Sequence, residues 1–96
     1  MKIFILHLFI ILTVGNKIEF NFNNTNKLLT ITGNGIIKQI NDKNYNLYKE
    51  ETKEIIIQNG ITEISNGVFY NWNNLNKITI SSTIKTIGKY CFANCK

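Results

Sequence analysis

Residues 54–72 read EIIIQNGITEISNGVFYNW, and residues 74–95 read NLNKITISSTIKTIGKYCFANC. Displaced by 23 residues, the two stretches set Ile55 on Ile78, Ile57 on Ile80, Ile61 on Ile84, Ile64 on Ile87, Phe69 on Phe92 and Asn71 on Asn94. Isoleucine recurs throughout the chain, but the phenylalanine and asparagine coincidences fall at the same spacing. A period of roughly 20–29 residues carrying a short Ile-x-Ile strand marks a solenoid of stacked coils. Alternation along each strand sends Ile55, Ile57, Ile78 and Ile80 to one face, the interior. It sends Glu54, Ile56, Gln58, Lys77, Thr79 and Ser81 to the other. A turn, a second short extended piece ending at Ile64 or Ile87, and one or two helical turns are expected to complete each unit.

The second stretch resembles the BspA-like leucine-rich repeat, with Leu75, Ile78, Ile80, Ile84, Ile87, Gly88, Phe92 and Cys95 where that pattern asks for them. The first matches less fully, with Ser65 at a usual glycine and Trp72 at a usual cysteine. The usual proline is replaced by Gln58 and Ser81, and the usual alanine by Val68 and Cys91. Upstream, LLTITGNGIIKQI at residues 28–40 is similar to the segment that often precedes such repeats. The fold class implied is an α/β leucine-rich-repeat-like solenoid, β-dominated, with about two 23-residue repeats over 53–96, incomplete at the C-terminus. The resemblance also implies an exported surface protein that adheres to host or matrix proteins.

Ahead of the repeats, residues 1–15 (MKIFILHLFIILTVG) pair Lys2 with an apolar run from Ile3 to Leu12, the pattern of a secretory signal peptide. The run is short of the roughly 20 apolar residues a membrane helix needs. We therefore expect a secreted or cell-surface chain with no membrane span in its mature form. Residues 17–32 read as a β-hairpin, KIEFNF and LLTIT flanking NNTNK, and 33–35 as a second turn. The segment from Asp42, with Tyr45 and Tyr48, reads as a short, poorly buried helix. Residues 16–52 are expected to form a hairpin and capping region over the first repeat. Asn23-Asn24-Thr25 is the acceptor pattern for N-glycosylation at Asn23.

Composition narrows the chemistry. The net charge is +5, carried by 11 lysines and no arginine, so the forked phosphate contacts of nucleic-acid binders are missing and no nucleic-acid partner is expected. His7, the single histidine, lies within the signal peptide, which leaves the mature chain without the commonest general base. The carboxylates Asp42, Glu50, Glu51, Glu54 and Glu63 show no paired spacing, and no glycine-rich phosphate loop is present. We expect no enzymatic activity and no cofactor. Cys91 and Cys95 are too few for a zinc site and spaced one residue too widely for a redox pair. We read them as structural cysteines packed in the interior, with a disulfide as the alternative; in the resembling family a cysteine at the Cys95 position stacks on that of the next repeat. Trp72, at a repeat-equivalent position, is expected to pack inside, and Asn71 and Asn94 to adopt the left-handed conformation that ends a turn.

The reading that results is a non-enzymatic exported module that binds protein partners through Glu54, Ile56, Gln58, Lys77, Thr79 and Ser81. The alternative is a structural fragment of a longer repeat protein with no binding of its own. An open apolar edge beyond the second repeat would favour self-association.

Overall fold

The computed structural model describes residues 17–96, so the signal-peptide reading falls outside the described residues. Among the described residues, seven strands and one helix follow in chain order: β1 (Glu19–Asn23), β2 (Leu28–Thr32), β3 (Gly35–Ile37), α1 (Tyr45–Glu51), β4 (Glu54–Ile57), β5 (Ile61–Ile64), β6 (Lys77–Ile80) and β7 (Thr86–Ile87). They form two sheets, one ordered β1-β2-β4-β6 and the other β3-β5-β7. The hairpin expected over 17–32 is present as the antiparallel pair β1/β2. All other pairings are parallel. Parallel neighbours need a long connection between them, and here each connection is the rest of one coil.

The 23-residue period is the register of the structure. Ile55 pairs with Ile78 and Ile57 with Ile80 in the first sheet, and Ile64 pairs with Ile87 in the second. Phe69 and Phe92 lie parallel, their ring centroids 5.4 Å apart and their planes at 7°. Strand pairs stand at three levels, β2/β3, β4/β5 and β6/β7. Between the first two levels the offset is longer: Leu29 pairs with Ile55, and a bulge lies between Gly35 and Ile36. The extra length holds α1. Later coils replace that helix with tight turns in which Tyr70 N–H donates to Gly67 O and Ala93 N–H to Tyr90 O. The one or two helical turns expected there are these isolated i→i+3 turns.

Side chains between the sheets form one core of Leu29, Ile31, Ile37, Ile55, Ile57, Ile61, Ile64, Phe69, Trp72 and Leu75 with their neighbours. Trp72 is fully buried and meets Phe69 edge-on, centroids 4.9 Å apart. Tyr48 of α1 is buried against Phe20 and Phe22 of β1, so the helix is better buried than its polar sequence suggests. At the corner between the sheets Gly60 has φ +111°, and a Cβ there would lie 2.2 Å from Gly33 O. Glycine is needed at this corner both for its backbone conformation and for the approach of the coil above. Asn71 and Asn94 have φ +65° and +61°, the left-handed conformation expected of them.

Burial falls away at the third level. Ile57 is 1% exposed and its mate Ile80 40%; Ile64 is 0% exposed and Ile87 45%. The same residue type therefore contributes very differently according to whether a coil lies on both sides of it. Phe69→Ala, which empties a position enclosed above and below, is expected to destabilise the protein by about 3–5 kcal/mol. Ile87→Ala is expected to cost less than about 1 kcal/mol, since much of its surface is already in water. Urea titration of the two variants checks the contrast, and equal losses would contradict the coil-on-coil packing.

Candidate functional site

Repeat positions line up across the coils on the outer face of the four-stranded sheet. Strand register sets its side chains in columns across the coils: Asn23, Leu28, Glu54 and Lys77 in one, Asn21, Thr30, Ile56 and Thr79 in the next. The six residues singled out in the sequence thus include two matched pairs on β4 and β6, Glu54 with Lys77 and Ile56 with Thr79. Gln58 and Ser81 follow directly after these strands, and Ser81 Oγ donates to Gln58 O at 3.3 Å. Gln58, Lys77 and Thr79 are exposed, while Glu54, Ile56 and Ser81 are half-buried. α1 packs on the opposite side, its Tyr48 against the inward-facing Phe20 and Phe22, so it does not cover this face.

The face is polar and weakly charged. Lys77 Nζ lies 3.8 Å from a carboxylate oxygen of the half-buried Glu54, a long, largely solvated pair that fixes little geometry by itself. Ser81 Oγ also stands 2.6 Å from Thr83 Oγ1, whose own proton goes to Ile61 O at 2.7 Å, so the Ser81 hydroxyl divides its one proton between Thr83 Oγ1 and Gln58 O. These bonds hold the end of the face while its centre, at Ile56 and Thr79, stays open. A shallow hollow of about 400 Å³ is lined by Gln58, Thr79 and Ser81 together with Ile57, Asn59 and Ile80. Such a surface offers hydrogen-bonding groups around a small apolar patch, which suits a protein chain laid across the strands.

Asn23 is exposed at the end of β1, and its Oδ1 accepts from Thr25 N–H at 2.9 Å and Asn26 N–H at 3.3 Å. Its Nδ2, the atom a glycan would occupy, is not used by those bonds. Among the described residues no group of three or more His, Cys, Asp or Glu side chains converges on a point. Glu51 is held by Lys27 Nζ at 3.0 Å. Two further surface features had no motif to announce them. A groove of about 620 Å³ runs between α1 and the turns below, with Asn46, Asn71, Asn73, Asn74 and Asn94 in its walls. A cleft walled by Tyr70 and Tyr90 crosses the second and third coils. The displacement by 23 residues does carry a trace of the second, because it sets Tyr90 on Gly67.

Cys91 is buried and Cys95 half-buried, and both are free thiols. Cys95 Sγ donates to Phe69 O at 3.2 Å. Burial pushes both thiols above the ordinary cysteine value, and burial likewise raises the Tyr48 phenol. A folded-state pKa above the unfolded value favours the neutral form in the native protein. Stability from these three groups is therefore complete below their unfolded pKa values, near 9 for the thiols and 10 for the phenol. It is lost as pH rises through the higher folded values. Urea midpoints should fall on going above about pH 9. In Cys91→Ala the fall should be smaller; an unchanged alkaline slope in that variant would count against a buried thiol.

Three comparisons bear on this architecture. A family model described as BspA type leucine rich repeat region, in six copies, matches residues 12–96. No curated protein matches the chain. The crystal structure of a leucine-rich repeat protein from Eubacterium ventriosum ATCC 27560 is similar, with a TM-score of 0.71 and 30% identity over 88% of this chain. The match covers 23% of that protein, so this chain spans about a quarter of its length. With the 23-residue register, the paired parallel sheets and a family match over nearly all of its length, this chain belongs to the BspA-type leucine-rich repeat family.

Proposed function

We propose that the protein is an exported, non-enzymatic binding module that engages host, matrix or other protein partners through the outer face of its four-stranded sheet. The observation that carries this reading is the pairing of Glu54 with Lys77, Ile56 with Thr79 and Gln58 with Ser81 across adjacent coils, on a surface that no other element covers among the described residues. Leucine-rich repeats in general serve protein interaction, and their fold is generally non-enzymatic. Proteins of this family are typically secreted or held at the cell surface, and among the described residues no helix is long and apolar enough to cross a membrane. Stacked strands give an extended surface on which each added coil repeats the same spacing. A face of this size makes a weak interface by itself, so affinity would come from several modules acting together.

The hairpin and α1 serve this reading as the cover of the first coil, with Phe20, Phe22 and Tyr48 closing the apolar end of the stack. The second reading is a structural or degenerate fragment of a longer repeat protein with no independent binding activity; self-association is a separate proposal, carried by apolar side chains exposed at the third level. Ile80 and Ile87 are exposed at positions where the coil above buries its isoleucines.

The test is binding to immobilised matrix proteins by the intact chain and by the double variant Lys77→Ala/Thr79→Ala. Both side chains are exposed, so stability should stay within about 0.5 kcal/mol of the parent. Binding is expected to fall at least tenfold. If the double variant binds as the parent does, the sheet face is not the binding surface.

A further inference from the structure

The cleft between the second and third coils holds a residue that is energetically out of place. Gly67 has φ +69°, and its mate one coil on, Tyr90, has φ +58°. Glycine adopts that conformation at no steric cost, whereas a tyrosine Cβ crowds its own backbone. Asn71 and Asn94 also sit there, but their short amides tolerate it and their Oδ1 and Nδ2 atoms bond each other at 2.8 Å. Tyr90 gains no such return from the core. It is 75% exposed, the most exposed large hydrophobic residue of the described chain, and Tyr70 across the cleft is 44% exposed.

Around these rings the surface is shaped for a side chain. The cleft measures about 430 Å³ and is lined by Asn66, Gly67, Tyr70, Lys89 and Tyr90. A Cβ built on Gly67 meets nothing within 4 Å, so the floor between the rings is open. Asn66 Oδ1 accepts from Lys89 N–H at 2.7 Å, which ties the two coils together beneath the cleft. The Lys89 ammonium has no carboxylate partner among the described residues.

Charge decides what fits. Every acidic residue of the chain lies at or before Glu63, while Lys77, Lys85, Lys89 and Lys96 all follow it. The third coil is thus uniformly basic, and a second copy would bring the same lysines against its own. We propose that the cleft is a second docking site, distinct from the sheet face, for an acidic protein segment. It would seat an apolar side chain between Tyr70 and Tyr90 and a carboxylate on Lys89. Aromatic rings give contact area at low entropy cost, and the free lysine selects the flanking charge.

The experiment pans a random peptide library displayed on phage against the full chain, then measures one synthetic enriched peptide by fluorescence polarisation. Enriched peptides should carry Asp or Glu beside Leu or Phe and weaken in high salt. Tyr90→Gly, Tyr70→Ala and Lys89→Glu should each weaken binding about tenfold or more. Lys89→Arg and, on the sheet face, Lys77→Ala should stay within about twofold. Tyr90→Gly separates binding from folding, because it relieves the backbone and should raise Tm by about 2–6 °C while binding is lost. Peptides without acidic residues, or peptides whose affinity ignores the Tyr90 and Lys89 changes, would overturn the proposal. A neutral oligosaccharide such as maltotriose shifting the Tyr70 and Tyr90 ring resonances where no acidic peptide does would also overturn it. So would Tyr70 and Tyr90 ring resonances that shift with protein concentration when no peptide is present, which would place a second copy in the cleft. Failure of the sheet-face reading leaves this outcome untouched, since the two surfaces share no residue.

Discussion

Coil must lie on coil in a fixed register, and the rest of the structure depends on that constraint. No single level of this protein can enclose an isoleucine, since each contributes only a short strand from either sheet and a turn. Enclosure comes from the neighbour, whose strands add hydrogen bonds and whose side chains close the gap. Phe69 shows the result most clearly, with Phe92 parallel beneath it and Trp72 edge-on beside it. Hydrophobic burial and backbone pairing are thereby locked together. A slip of one residue would turn Ile55 and Ile57 outward and at the same time break the ladder to β6.

The same constraint explains why so much of the fold was legible in the sequence. Alternation assigns the inward isoleucines of β4 and β6, and the 23-residue displacement alone gives the pairing of Ile55 with Ile78 and Ile57 with Ile80. The first level was hidden from that displacement for a physical reason. Residues 38–53 hold α1 where later coils hold tight turns, so Leu29 meets Ile55 at a longer offset, and the bulge after Gly35 shifts it again. Repetition in space survives an insertion on the outside of a coil, but repetition in sequence does not.

The surfaces were less legible than the core, because a surface residue answers to fewer constraints. The outward residues Glu54, Ile56, Lys77 and Thr79 on β4 and β6 follow from strand parity alone, and the register pairs them across the two strands. The order of exposure along the face does not follow from parity, since it depends on neighbours such as Thr83, which binds both Ser81 and Ile61. The tyrosine cleft needed a dihedral angle. That Tyr90 matches Gly67 is written in the sequence, but the conformation that makes the match costly belongs to the turn.

Between residues 67–71 and 89–93 the backbone-to-backbone hydrogen bonds run in one direction. Gly67, Phe69 and Asn71 each donate their N–H to the coil that follows, at Lys89, Cys91 and Ala93. On the opposite side the sense reverses: Lys85 and Gly88 donate back to Thr62 and Ile64. A peptide group released from either end therefore strands a polar atom on the coil that stays behind. Detaching the last coil would break the bond from Phe69 N–H to Cys91 O and uncover the Phe69 ring together, so peeling of the array is resisted by lost backbone pairing as well as by oily side chains.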